Sequence, residues 1–500
     1  MRNKALMVLH LALTLSVLSG KAACASQGGD QDMLPAGGID VMAAGLSFHA
    51  PGAPWRYAGY SDTLAGFSRG GEAAGFEIRS TDSWIGLEVR PYSWIGKWNR
   101  DRSPGENLVA EFSLWASFEG GHEPAFLRRL SQPRMSTVTV NGASCVEWDA
   151  TLEPRKSNRP MPARAVQHGL LCSHPEFPGF AVEMTATQHG VPGGQSASIE
   201  ADREAFFRSL RFTPLGYRVR ELALKGRPWT FETTDGALWA IDTAASNSCD
   251  NGMEAVRIDP QTGHVVARVP VGHACNLIAD AHGVWALDAK DQLMFIDPKV
   301  NQVSNALKIP HGVTHVAAGG GYLWMTTADP GRLVRVDPVT GATLNVDGVT
   351  KDPDQVAARG NTVFVSDFYQ DGILVVDSEN GRIVRKLNAP HGVFALRSFD
   401  SFLWSVQLDV LPSSVLRIDP ANPESAPTPF GDLAPYRPLE LAWWNGRLIV
   451  LGSNALGLID PTRHTVELLP LPGGDSNDVI AAGGSLWVAG PQSVLRIDPK

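Results

Sequence analysis

Arg257-Ile258-Asp259-Pro260-Gln261-Thr262-Gly263 is the end of a short strand followed by a turn, and it returns throughout the second half of the chain. Its leading tetrad recurs as Phe295-Ile296-Asp297-Pro298, Arg335-Val336-Asp337-Pro338, Val375-Val376-Asp377-Ser378, Arg417-Ile418-Asp419-Pro420, Leu458-Ile459-Asp460-Pro461 and Arg496-Ile497-Asp498-Pro499. The aspartates step by 38, 40, 40, 42, 41 and 38 residues. A second landmark precedes each tetrad: Leu238-Trp239, Val284-Trp285, Leu323-Trp324, Val363-Phe364, Leu403-Trp404, Leu448-Ile449 and Leu486-Trp487. Two landmarks sharing one period of this length mark a β-propeller. The turn has a mechanism: proline presets φ, and glycine takes the left-handed position before the next strand.

Within one period the sequence reads as four short strands, as in Asn276–Ala281, Gly283–Leu287, Gln292–Ile296 and Val303–Ile309. The recurring tryptophan is expected to pack between neighbouring blades. The last repeat stops after its third strand at Lys500, whereas Tyr217–Lys225 stands alone before the first repeat and matches a fourth strand such as Val265–Val271. Pairing Tyr217–Lys225 with Val494–Ile497 would remove an open sheet edge and shut the ring. The expected fold is mainly β: a seven-bladed propeller over residues 217–500, preceded by an α+β domain with an antiparallel sheet over residues 26–216.

That first domain lacks the period. Strand-like pieces at Phe76–Arg79, Ile85–Arg90 and Val138–Val140 alternate with helix candidates at Glu106–Phe118, Glu123–Leu130 and Ala201–Leu210. Cys145–Leu152 and Val166–Cys172 read as antiparallel strands around the polar loop Pro154–Pro162, with Cys145 and Cys172 facing each other. Residues 1–25 read as a signal peptide: Arg2 and Lys4, an apolar run from Ala5 to Leu18, then Ala23-Cys24-Ala25. Lipidation at Cys24 is the alternative, although Lys21 stands where lipoprotein signals usually carry leucine. The expectation is a periplasmic or secreted protein with no transmembrane segment. Four cysteines remain after cleavage, and an even number in an exported protein suggests two disulfides, Cys145–Cys172 and Cys249–Cys275.

Composition narrows the function. The 500 residues carry 43 basic and 52 acidic side chains, a formal charge of −9, so no basic excess exists to displace the counterions of a nucleic acid. The sequence contains no P-loop, GxGxxG, GxSxG or HExxH. What remains is positional. Loops entering the inner strands supply Trp229, His273, His311, His315, Asp354, His391, Tyr436, Arg437 and Asp478. Loops between second and third strands supply Asp242, Asp288, Thr327, Asp367 and Gln407 at the same end. Histidines beside carboxylates suit binding, metal ligation or acid–base work. The plainer reading is that these groups cap turns and satisfy loop backbone.

The pattern of Leu-Trp, then Ile-Asp-Pro-x-x-Gly, then Val-Pro-x-Gly resembles the streptogramin (virginiamycin B) lyase-like and YVTN-type propellers of bacteria. That resemblance implies either a binding or scaffold module, or a magnesium-dependent eliminase whose base and acid would be His273 and Asp288, with His311 or His315 nearby. Where the lyase repeat reads Trp-Phe-Thr-Glu, this chain has Trp285-Ala286-Leu287-Asp288 and Trp324-Met325-Thr326-Thr327. The end of the first domain, Ala205-Phe206-Phe207-Arg208-Ser209-Leu210-Arg211-Phe212, resembles the small PsbP/Mog1-like domains of exported proteins. Three functional classes follow: a binding or scaffold protein gripping a protein or envelope component, a lyase at the channel mouth, and an envelope inhibitor or immunity-type protein.

Overall fold

The structure is a computed structural model. It describes residues 36–500 except 38, 44, 54, 58–64, 70–72, 75–76, 79–83, 92–100, 118–126, 131–132, 155–164, 178–179, 190–196, 244–251, 289, 329, 408–413, 431–437, 453–454, 472–475 and 491–492. The signal-like segment with Cys24, the loop after Pro154, Cys249, Tyr436 and Arg437 therefore lie outside the described residues. The chain divides into two compact units that part between Gly216 and Tyr217, and the short segment 467–474 groups with the first.

The first unit is built on an eight-stranded antiparallel sheet. Its centre is Trp84–Pro91, Ala181–His189, Ala165–Ser173 and Ala143–Pro154, paired in that order. Alternation along these strands gives the sheet two apolar faces. Helix α1 (Pro104–Ser117) lays Leu108 and Phe112 on Val146, Trp148 and Leu171. Helix α2 (Ala197–Ser209) contributes Phe206 and Phe207 to a core with Cys145, Leu170, Cys172 and Met184. Helix α1 opens with a capping box: Ser103 N donates to Glu106 Oε2 at 2.8 Å, and Glu106 N donates back to Ser103 Oγ. Of the helix expected at Glu123–Leu130, residues 123–126 lie outside the described residues and the remainder is not helical. Leu127–Arg129 is a strand paired with Leu152–Pro154, because the free edge of that strand offers the backbone a ladder. Cys145 and Cys172 are register partners and form a buried disulfide.

The second unit is a β-propeller. Among its described residues are seven four-stranded antiparallel sheets. Their innermost strands, in chain order, are Pro228–Thr234, Ala274–Ala279, Val313–Gly319, Pro353–Arg359, Val393–Phe399, Glu440–Trp444 and Asp478–Ala482, here the inner strands of blades one to seven. Each touches the next, and the last touches the first. Tyr217–Leu222 pairs with Val494–Pro499 and supplies the fourth strand of blade seven.

The repeated residues explain how the joints hold. Trp239, Trp324, Trp404 and Trp487 are fully buried. Each packs into the next blade: Trp239 against Leu277 and Val284, Trp324 against Val356 and Val363, Trp404 against Leu441 and Leu448. Trp487 packs against Phe231, Leu238 and Val256, carrying the same joint from blade seven to blade one. Tetrad arginines add a polar staple. Arg257 donates to Pro298 O, Arg335 to Ser378 O and Arg496 to Gln261 O, in each case on the next turn around the ring. The tetrad aspartates fold their own turns: Asp259 Oδ1 accepts from Gln261 N and Asp337 Oδ1 from Val339 N. The left-handed turn position is Gly263 in one repeat and Asn301 in another, both with positive φ. Asparagine tolerates that region better than other residues with a side chain.

Candidate functional site

Strand register places one end of every blade. The start of each inner strand pairs with the end of the second strand, as in Pro228↔Asp242, Ala274↔Asp288, Val313↔Thr327 and Pro353↔Asp367. The loops entering the inner strands and those leaving the second strands thus share one end. In blades one to five the register shifts here, so an extra residue sits at the mouth of each inner strand. Such bulges re-aim side chains. Ala395, in the bulge of blade five, has φ of 48°.

At this level runs a ring of equivalent positions: Thr230, Asn276, His315, Gln355, Ala395, Glu440 and Asp478. Each lies nine residues before the landmark at Trp239, Trp285, Trp324, Phe364, Trp404, Ile449 and Trp487. Six of the seven are polar, on strands that otherwise alternate with buried apolar residues. They are stitched to one another and to backbone. Thr230 Oγ1 donates to Asp478 Oδ2 at 3.0 Å and also lies 3.4 Å from Asn276 Oδ1. Gln355 Nε2 donates to His315 Nε2 at 2.9 Å and to Asp354 Oδ2 at 3.1 Å. With Nε2 accepting, the proton of a neutral His315 ring sits on Nδ1, which faces Asp354 Oδ1 at 3.4 Å. Burial pushes the Asp354 carboxyl up, and the hydrogen bond from His315, the charge that ring carries when protonated and the hydrogen bond from Gln355 outweigh it, so the group ends below its ordinary value. Two residues deeper, the same strands carry Glu232, Ile278, Ala317, Ala357, Arg397, Ala442 and Ile480, of which only Glu232 and Arg397 are charged. Arg397 donates to Glu440 Oε2.

The residues expected from sequence fall into several settings. Asp242, Thr327, Asp367 and Gln407 tie loops. Asp242 accepts from Lys225 N and Gly226 N and pairs with Arg268; Thr327 donates to Pro330 O; Asp367 accepts from Tyr369 N; Gln407 donates to His391 O. His311 and His391 stand on the rim in matching contacts. Nδ1 of His311 lies 2.8 Å from Asp291 Oδ2, and Nδ1 of His391 lies 3.0 Å from Asp371 Oδ1. The side-chain hydrogen bond from His391, followed by its backbone N–H, holds the Asp371 carboxyl below its ordinary value. His273 and Asp288 are gathered around Lys290, whose Nζ lies 2.8 Å from His273 Nε2 and whose backbone N donates to Asp288 Oδ1. Trp229 lies under the Arg227 guanidinium in a partly buried apolar setting. Trp229, His315, Asp354 and Asp478 belong to the inner strands themselves. Among the described residues, no group of three or more His, Cys, Asp or Glu side chains is arranged to hold a metal ion.

No family model matches the chain, and no curated protein matches it. Solved structures do. Kuenenia stuttgartiensis hydrazine synthase is 14% identical with a TM-score of 0.45, covering 55% of this chain and 96% of that one. The β-propeller domain of Myceliophteria thermophila Cps50 (Swd1) is 11% identical with a TM-score of 0.45, covering 56% of this chain and 98% of that one. The likeness concerns the fold.

The polar ring also shows what sequence reading missed. Thr230, Asn276, Gln355 and Glu440, with Glu232 and Arg397 below them, were not among the expected site residues. The signal lay in the repeat itself: counting nine residues back from each landmark reads out the ring. Loop position drew the eye instead, because propeller loops vary most.

Proposed function

We propose that this chain is an exported binding or scaffold protein that presents the open end of its propeller to a protein or cell-envelope component. The observation that carries this reading is the ring of six polar side chains at equivalent inner-strand positions. A channel that served packing alone would be lined by apolar residues, as the joints between blades are. Around the ring the rim offers groups suited to protein contact: Tyr369, 77% exposed and stacked edge-on with Phe368, together with exposed His311 and His391. Export is supported by the signal-like N-terminus and by the Cys145–Cys172 disulfide, which suits an oxidising compartment. In the described residues no helix is long and apolar enough to cross a membrane.

A lyase at the channel mouth is the second reading. It would use His273 as base, beside Asp288 and with Lys290 Nζ 2.8 Å from its Nε2. Among the described residues no three His, Cys, Asp or Glu side chains converge to hold a metal ion. The test separating the two is capture from native envelope, with and without chelator, using the full chain and a Tyr369→Ala/His311→Ala/His391→Ala variant. A binding rim predicts a stoichiometric partner that survives chelation and is lost with the variant. Turnover that vanishes on chelation and in His273→Ala, with capture unaffected by the rim variant, would favour the lyase.

A further inference from the structure

Residues 211–216 close the N-terminal unit and run on into Tyr217. Inside the unit this connecting segment is held at one buried histidine. His174 follows the strand Ala165–Ser173 and is 1% exposed. Its ring is fixed from both sides. Nδ1 accepts from the backbone N–H groups of Glu176 at 3.1 Å and Phe177 at 3.2 Å, in its own loop. Nε2 faces Thr213 O at 3.2 Å. A carbonyl oxygen can only accept, so the ring proton sits on Nε2 and leaves Nδ1 as the acceptor. The ring meets Phe212 edge-on and lies beside Phe180. Thr213 N in turn donates to Gly45 O at 2.9 Å. Gly45, at a φ of 79°, leaves the room that lets these pieces meet: a Cβ there would stand 2.5 Å from Leu215 Cδ2 and 3.3 Å from His174 Nε2.

These polar contacts of the ring require the neutral imidazole. A second proton can bind only at Nδ1, where two N–H groups already point, and it would leave both of them without an acceptor in a buried site. The ring therefore takes up a proton by leaving its socket. The charged or titratable side chains on the elements around it are Glu176 on its own loop, Arg211 beside Phe212, and His49 on the strand Leu46–Ala50. All three are exposed. Arg211 donates to Arg208 O and Leu210 O, and Nε2 of His49 lies on Gly37 O. On α2, Asp202 accepts from Trp55 Nε1 and Arg203 pairs with Glu200. His168, six residues earlier, answers to Arg203, Glu200, Asp149 and Glu147.

We propose that His174 is an acid-released anchor: as the neutral imidazole it pins the connecting segment at Thr213, and in acid it is protonated, leaves its socket and frees that segment. The sign follows from which form binds the proton. A histidine in the open segment is protonated below about pH 6.5, whereas the seated ring excludes the proton. The anchor is therefore at full strength above about pH 6.5 and loses about a factor of ten for each pH unit below it.

Native-state hydrogen exchange on the full chain, corrected for intrinsic exchange and compared at pH 7.5 and 5.5, tests this. Residues 174–177 and 211–213 should open about tenfold more often at pH 5.5, with residues 182–186 of the same sheet little changed. His174→Asn puts a carboxamide oxygen where it can accept from the same two N–H groups, as asparagine does in such turns, and it does not titrate. That variant should lose the pH dependence, and His168→Gln should keep it. Should His174→Asn not fold, the imidazole nitrogen resonances of the unaltered chain decide: His174 should stay neutral and protonated at Nε2 in the folded protein down to pH 5.5. Opening that is independent of pH, a pH dependence that survives His174→Asn or is lost with His168→Gln, or a His174 ring that charges near pH 6.5 while the segment stays protected would each overturn the proposal.

Discussion

The two halves of this chain are held together by different means. In the propeller one kind of joint recurs, with an aromatic residue at six of the seven landmarks, an arginine in four of the seven tetrads and an aspartate in every tetrad. In the N-terminal unit every element occurs once, and one sheet is clamped between α1 and α2 with a disulfide across its central strands. Repetition spreads the load, so no blade depends on a unique contact except where the chain's ends meet. The single-copy unit concentrates its load on a few residues.

Replacing Trp487 breaks that contrast hardest. Trp487→Ala empties the joint closed by the chain's ends and is expected to cost about 3–5 kcal/mol. In calorimetry the loss should fall on the propeller transition and leave the N-terminal unit's transition in place. A joint transition shifted as a whole would mean that the two units do not unfold separately.

The reverse experiment is Cys145→Ala/Cys172→Ala. The bond joins residues 27 apart in sequence, and a loop of that size corresponds to about 3.5 kcal/mol in the chain-entropy model. Here the N-terminal transition should move and the propeller's should not. Chemical denaturation followed by tryptophan fluorescence from either unit would show which one moved.

Arg496→Ala sharpens the comparison within the propeller. Arg496 lies over the Trp487 ring and donates to Gln261 O, as Arg335 lies over Tyr322 and donates to Ser378 O. Both alanine variants should cost about 1 kcal/mol. A markedly larger loss for Arg496 would show that the closing joint carries more load than an ordinary one.

The same contrast explains what could be read from sequence. Each propeller landmark is tested against six others, so Asp259 or Trp239 need not be interpreted alone. The turn glycine can be replaced, as at Asn301, without hiding the period. The Cys145–Cys172 pairing was legible because two alternating strands put both residues on one face. Leu127–Arg129 was not, since three residues of an edge strand carry too little pattern to outweigh the helical spacing around them. At the site the obstacle was different. Glu232 and Arg397 matter because they depart from the repeat, standing where other blades carry Ile278, Ala317, Ala357, Ala442 and Ile480. A reading tuned to recurrence passes over such positions.

The central claim is that the end of the propeller bearing the polar ring is the end that meets a partner. A photo-crosslinking residue at Tyr369, 77% exposed at that end, can be set against one at Val339, 73% exposed on a tetrad turn at the other. Irradiation in native envelope should yield a discrete adduct from position 369 and none from 339. An adduct from position 339 with none from 369 would contradict the claim.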